Sequence, residues 1–413
     1  MSTGLADNVR KYRRTAGLNQ EGLAEAADLS LSTVRKVEQG GHVSMETLHA
    51  LARALGVNTS ALFATEAPKS VLGPQDEANR RYLAELRRAL MPAVGLSAPL
   101  SDPGEAGELS ALRRGVQEGH ALYWADQYGA VAKRLPALLR SSEAAVAAFE
   151  GEDRQQALIA RCHALLLTGK YLTQVRQYDM AYFALVDAIR LARETDQTQL
   201  ASTGVVGLCW LLLRQDRFDE AEQLAALTAA EIEPRMSEAT PARLTVWGEL
   251  WLRVASAAVR NNRPDVAQDA RRMAGTAAGG LASEYHDFPL AWGGFGPITA
   301  ELKAVEDLSL VGDARGVLRR ADDGILSDRS VRNFGRPTAP NWGRHRLDVA
   351  RALVGLGSHQ DAMDELMQLR RTSGAWLTHQ PMARYVMADL LKTRKRTLTK
   401  DMRGMAAHLG VAG

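Results

Sequence analysis

The chain reads as an all-α protein: a head of five short helices followed by a long array of paired helices. Two observations predict this. Apolar residues recur three and four apart through residues 5–63, and again through nearly everything after residue 110. Turns of one repeated make-up then punctuate the body between residues 126 and 362. A length of 413 residues exceeds one small domain and suits two or three.

Composition narrows the class. A hydrophobic fraction of 46% with 24% charged residues is that of an ordinary soluble protein. No run approaches the roughly 18–20 apolar residues of a membrane span. The opening MSTGLADNVRKYRR lacks the apolar core of a signal peptide, so the expected compartment is the cytoplasm, with no membrane partner. Cys162 and Cys209 are too few and too far apart for a disulfide or metal framework, and both sit in apolar helical stretches. Net charge is only +3, and residues 1–69 carry eight Lys/Arg against seven Asp/Glu. Global electrostatics alone would therefore not point to nucleic acid.

The head is predicted helix by helix. Leu5, Val9, Tyr12 and Ala16 line one face of a helix over residues 5–16, which Gly17 stops. A second helix starts near Gln20 and runs through Leu23, Ala24 and Ala27, with a turn at Asp28 and Leu29. Ser30 is placed to cap a third over residues 31–39, with Val34 and Val37 inward. Leu31, Ser32, Arg35 and Lys36 then point the other way. Gly40 and Gly41 end it, and Ser44 caps a fourth helix that turns Met45, Leu48, Leu51, Ala52 and Leu55 inward. A short fifth, over residues 59–63, supplies Leu62 and Phe63 as core plugs.

The string GLNQEGLAEAADLSLSTVRKVEQG (17–40), followed by METLHALARALGV, resembles the Cro/phage-repressor (XRE) helix-turn-helix family. The match covers about one-sixth of the chain. It departs at Asp28, where the family usually has Gly; Asp tolerates positive φ better than most residues. The resemblance implies that the third helix enters the major groove of double-stranded DNA, with Leu31, Ser32, Arg35 and Lys36 toward base edges. Arg35 suits a guanine and Leu31 a thymine methyl. Gln20 and Ser30, at two helix starts, are placed for phosphates. An internal Arg13–Glu38 pair is implied as well.

A joint follows. Pro68, Gly73 and Pro74 mark one linker, Pro92 to Gly107 a second, and QDEANRRYLAELRRALM between them reads as an isolated helix with a solvated basic face, open also to phosphate contact, docking on the body or pairing in a dimer. The expected domains are 1–69 (head), 70–118 (linker with one helix) and 119–413 (repeat body).

In the body, an aromatic or polar residue, then Asp or Gly, then a small residue opens helix after helix. The strings are DQYGAV (126–131), RQYDMA (176–181), DRFDEA (216–221), NRPDVA (262–267), LVGDARGV (310–317) and GSHQDA (357–362). Tyr or Phe before the turn with Ala after it is the local signature of the tetratricopeptide (TPR) repeat, at a looser period. The strings WADQYGAVAKRLPALL (124–139), FGPITAELKAVEDLSLVGDARGVL (295–318) and HQPMARYVMADLLKTRKRTLTKDMRGMAAHLGV (379–411) resemble the TPR body of actinobacterial, Streptomyces-type XRE regulators. That resemblance implies a TPR-like α-solenoid behind the helix-turn-helix head. It also implies a homodimeric transcriptional regulator whose body senses a small molecule, a peptide or a protein partner.

Two segments are candidates for an effector. FPLAWGGFGPIT (288–299) is aromatic and glycine-rich, and offers Trp292 and Phe295. RNFGRPTAPNWGRHR (332–346) brings Asn341, Trp342, Arg344 and His345 near a helix start, where Arg344 or Arg346 suits a carboxylate. The basic run KTRKRTLTK (392–400) reads as a solvated helix end. No catalytic, phosphate-loop or metal-ligand spacing appears, so neither an enzyme nor a cofactor is expected. The competing reading is an interaction scaffold whose TPR groove holds a partner protein.

Overall fold

Polar caps set where the head's helices begin. The structure, a computed structural model, describes residues 3–62 without 17, 42 and 58, then 74–93, 96, 106–286, 292–393 and 398–411. The expected stop at Gly17, the plug at Phe63 and the linker residues Pro68 and Gly73 lie outside the described residues. The head helices are α1 (Thr3–Thr15), α2 (Gln20–Ala26), α3 (Leu31–Glu38), α4 (Met45–Ala54) and α5 (Thr59–Leu62). Asn19, Ser30 and Ser44 cap α2, α3 and α4, each accepting a backbone N–H from three residues on, at 2.7, 3.1 and 3.2 Å. Val9, Leu23, Val34, Val37, Leu51 and Leu62 form the fully buried centre of the head. Each contributes about 1.5–3 kcal/mol of burial. Asp28 turns α2 into α3 at φ 53°, the left-handed conformation for which Asp stands in for Gly.

The body helices are α6 (Pro74–Leu90), α7 (Leu109–Trp124), α8 (Tyr128–Ala148), α9 (Gly151–Gln174), α10 (Tyr178–Glu194), α11 (Thr198–Arg214), α12 (Phe218–Glu231), α13 (Pro241–Arg260) and α14 (Pro264–Gly279). Then come α15 (Pro297–Val311), α16 (Ala314–Arg320), α17 (Asp328–Phe334), α18 (Ala339–Gly355), α19 (His359–Thr378), α20 (Pro381–Thr393) and α21 (Lys400–Leu409). Among the described residues the only extended pairing is an isolated bridge between Tyr285 and Phe295. No described helix is long and apolar enough to cross a membrane. Cys162 and Cys209 are free and fully buried, and burial pushes both thiols up to about 12.

One device makes seven of the reversals. Asp126, Arg176, Asp196, Asp216, Asn262, Gly312 and Gly357 take positive φ between 54° and 85°. The next residue, from Gln127 through Ser358, returns its N–H to the carbonyl five positions back at 2.8–3.0 Å. These are Schellman turns, which satisfy the last carbonyls of one helix and aim the chain back along it. All six turn strings of the sequence sit at such reversals. A seventh, at Asp196, was not legible because Gln199 stands where the pattern has Asp or Gly. It divides the 40-residue interval into two helices.

Consecutive helices from α7 to α16, and from α18 to α21, pack on one another. The first members of successive pairs also touch: α7 on α9, α9 on α11, α11 on α13, α13 on α15, α15 on α18 and α18 on α20. Of the roles open to the helix between the linkers, α6, the structure shows docking on the body: it packs on α8, with Leu86 and Leu90 buried in the body core. Its three- and four-residue apolar spacing needed a partner face, and α8 supplies one. Arg87 and Arg88 stay exposed.

The head sits on the body through α4. Leu48, Leu51, Ala52 and Leu55 face the head core. Met45, His49 and Arg53, four residues apart, face the other way. Met45, expected to point inward, packs against both the head core and a body cluster of Ala258, Val259, Ala267 and Leu310. The His49 ring stands edge-on to Phe218 with centroids 4.8 Å apart, and Arg53 donates to Asn261 Oδ1 at 3.2 Å. Asp216 reaches back from its reversal to accept the backbone N–H of Thr59. The Thr59 hydroxyl in turn lies 2.8 Å from His49 Nδ1.

Asp196 and Asp216 share a conformation but not a task, which yields a contrast. Asp196→Gly should be near neutral, since relief of left-handed strain is offset by the added freedom of the unfolded chain. Asp216→Gly should weaken the seat of the head by about 1–3 kcal/mol, the loss expected for an orphaned buried donor. Urea unfolding followed by amide exchange in α4 separates the two.

Candidate functional site

The exposed side of α3 is set by its helical period. Val34 and Val37 plug the head core, which turns Ser32, Arg35 and Lys36 outward, all exposed. Arg35 and Lys36 form no ion pair among the described residues, so both charges stand free in solvent. Leu31 is half-buried against the head core and presents only part of its side chain. Ser30 Oγ accepts the N–H of Thr33 and lies 2.8 Å from Ser32 Oγ, which fixes the first turn. The seat on the body uses α4 and the start of α5, and Ser32, Arg35 and Lys36 of α3 stay exposed beside it.

Behind α3 lies a braced ion pair. Arg13 grips Glu38 with Nε to Oε1 at 2.6 Å and Nη2 to Oε2 at 3.1 Å. Burial alone would raise the Glu38 carboxyl, but hydrogen bonds from Arg13 and Gln20 and the Arg13 charge outweigh it and hold the group low. Gln20, placed at a phosphate by the sequence, donates Nε2 to Glu38 Oε2 at 2.7 Å. That bond uses one of the two N–H groups of its amide.

A second candidate lies where head and body meet. A cavity of about 370 Å³ is walled by α7, α11, α13, α15, α18 and α20, with Met45, His49 and Thr59 of the head on one side. Polar side chains enter it at helical spacing: Glu249, Arg253, Ser256 and Arg260 from α13, and Thr299, Lys303 and Glu306 from α15. Glu306 holds Lys303 at 2.5 Å and Arg260 at 3.3 Å. Glu249, 3% exposed, accepts the N–H of Gly293 at 3.0 Å and so pins the 292–294 loop. The guanidinium carbons of Arg214 and Arg344 lie 5.0 and 5.6 Å from the centre of the Trp210 ring. Burial, then the neighbouring Arg344 charge, pushes Arg214 down to about 10. A depression of similar size lined by Ala130, Lys133, Arg134, Ala137 and Leu138 draws on α8 alone and has no second wall.

Half of the effector candidates reach this cavity. Trp292 lines it, its ring seated over Gly207, where an added Cβ would come within 2.4 Å. Asn341 and Arg344 line it too; Asn341 Nδ2 donates to the Gly293 carbonyl at 3.0 Å and its Oδ1 accepts from Arg344 at 3.2 Å. Phe295, Trp342 and His345 do not. Phe295 is a fully buried plug whose ring fills the space over Gly248. Residues 341–345 lie within α18, whose period sends Asn341 and Arg344 to the cavity and Trp342 and His345 to the adjoining side. There His345 Nε2 donates to the Ala321 carbonyl at 2.9 Å, and burial pushes its pKa down to about 4. Arg346 is committed to Glu365 and Asp322. Residues 288–291 of the aromatic loop and 394–397 of the basic run lie outside the described residues.

Sequence reasoning missed Trp210, Arg214, Arg253 and the α15 charges. A signal existed: beyond Arg243 in its first turn, the charged residues of the largely apolar α13 are Glu249, Arg253 and Arg260 at i, i+4 and i+11. An ionic stripe inside so apolar a helix marks a polar interior surface.

Residues 9–62 match the family described as helix-turn-helix. Comparison with curated proteins and with solved structures gives no match. The head is a helix-turn-helix domain of the XRE type, and a head of this kind points to DNA-binding regulators in general.

The Arg13–Glu38 brace gives a stability prediction. Arg13→Ala leaves a buried carboxylate without its cationic partner and should cost about 3–5 kcal/mol. Because the Glu38 carboxyl is lowered in the folded state, its stabilisation is full above the ordinary carboxylate range and lost as pH falls through the folded value. Head unfolding followed by amide exchange against pH should show that acid-side loss in the native chain and not in Arg13→Ala.

Proposed function

We propose that the chain is a sequence-specific transcriptional regulator that binds a two-half-site operator as a homodimer, with its body as the sensor. The observation that carries this is the free side of α3: Ser32, Arg35 and Lys36 are exposed while the head is seated on the body by α4 and Thr59. A seated head can therefore still meet a major groove. With eight basic and seven acidic residues in positions 1–69, one head supplies little phosphate attraction. Pairing two heads supplies the affinity, and control then passes to whatever sets their spacing.

In this reading the body is a TPR-like α-solenoid. Support comes from its short reversals and from the alignment of first-member helices along one side. The cavity on that side, with Trp292, Asn341 and Arg344 in its wall, is where a small molecule or peptide effector binds. The protein works in the cytoplasm, where DNA is available.

Arg35→Ala tests the DNA arm. Loss of a base-edge fork should weaken binding to the chain's own promoter fragment by about 1–3 kcal/mol per half-site, with less change on unrelated DNA. Combining it with Ser32→Ala should abolish sequence preference while helicity stays intact. Equal loss on specific and unrelated DNA would assign both residues to the phosphate backbone and remove them from base readout.

A further inference from the structure

The cavity carries more information than its position. Its wall holds six basic side chains, Arg176, Arg214, Arg253, Arg260, Lys303 and Arg344, against three carboxylates, Asp216, Glu249 and Glu306. Glu306 answers Lys303 and Arg260, and Asp216 is bound to Thr59 of the head. Among the described residues Arg214 and Arg344 have no carboxylate within ion-pair distance, yet both crowd the one ring of Trp210. The Nε atoms of Arg253 and Arg344 are buried and make no hydrogen bond. Gathering like charges in a half-buried place, with donors left open, is unfavourable unless a counter-charge arrives.

The rest of the wall describes the other end of such a guest. Trp124, Trp210, Trp292 and Tyr178 give flat apolar surface within the same hollow. Trp210 and Trp292 meet edge to face with centroids 6.2 Å apart. A volume of about 370 Å³ lies near the small end of ligand sites and suits a compact metabolite.

We propose that this cavity binds a small organic anion bearing a flat aromatic ring, with its carboxylate or phosphate held by Arg214, Arg253 and Arg344 and its ring against Trp210 and Trp292. Guanidinium forks suit both acid types, and the tryptophans suit the ring. Met45, His49 and Thr59 form part of the same wall, so a bound guest touches head and body together and tightens the seat of α4. That coupling rests on the regulator reading above; the binding itself does not.

The test uses the full-length chain with 1-naphthoate, phenyl phosphate and, as the uncharged match, 1-naphthamide, followed by titration calorimetry and tryptophan fluorescence. At least one anion should bind saturably, and 1-naphthamide should bind at least about ten-fold more weakly than 1-naphthoate. Which anion binds more tightly distinguishes a carboxylate from a phosphate guest. Arg344→Gln and Arg214→Gln should each weaken the preferred anion roughly ten- to hundred-fold, with Arg344→Lys retaining part of the affinity. Unaltered helicity and melting show that each variant folds. Saturation should also slow amide exchange across Met45–Ala54. The proposal is overturned if neither anion binds the folded chain, if the amide binds as well as the acid, or if both Gln variants bind normally. Unchanged exchange in a saturated sample overturns the coupling. Parallel binding of the promoter fragment separates the two readings: specific DNA binding without anion binding removes the cavity proposal alone, and the reverse removes the regulator.

Discussion

A reversal of direction within three residues, the first at positive φ and the next returning its N–H to a carbonyl five positions back, is the constraint on which the body is built. Where it occurs it closes the end of a helix without a long loop and sends the next helix back alongside it. Repeated at seven places, it brings the first helices of successive pairs into contact, and their inward faces become one wall. At Asp216 the turn residue does two things at once. Its backbone makes the reversal, and its carboxylate holds the backbone of Thr59 in the head. The position of the helix-turn-helix head is thus tied to the body by the kind of turn that organises the body.

His49 shows how firmly the joint is built. It bonds to Thr59, stands edge-on to Phe218 and lies 3.9 Å from Asp216. Burial, followed by the charges of Arg260, Arg53 and Arg351, pushes its pKa down to about 3, so the ring is neutral at ordinary pH. Neutrality matters here because a charged imidazole would add to the cations already lining the cavity. One face of α4 therefore completes the head core while the other lines the cavity.

The head was legible because each of its helices is punctuated by its own residues. Ser30 and Ser44 announce helix starts, and Asp28 stands at the turn where a left-handed residue is required. The turn strings of the body were legible for the same local reason. What the sequence could not resolve was which side of a body helix meets which neighbour. Asn341, Trp342, Arg344 and His345 lie within five positions, yet the turn of α18 divides them between the cavity and the core behind it. Phe295 looked like its neighbour Trp292 but fills the space left by Gly248, a position 47 residues earlier in the chain. Arg214 and Arg253 were hidden because their neighbours come from other helices. Pairing across sequence distance, not local pattern, decides which charges are left open.

The central claim is that α3, held outward by a head seated on the body, reads a specific DNA sequence. A map of the DNA bound by the protein across its own genome tests this most directly. The account predicts discrete sites sharing a common sequence arranged as two half-sites about one helical turn apart, roughly 10 base pairs between centres. Bound DNA with no shared sequence beyond background would contradict it.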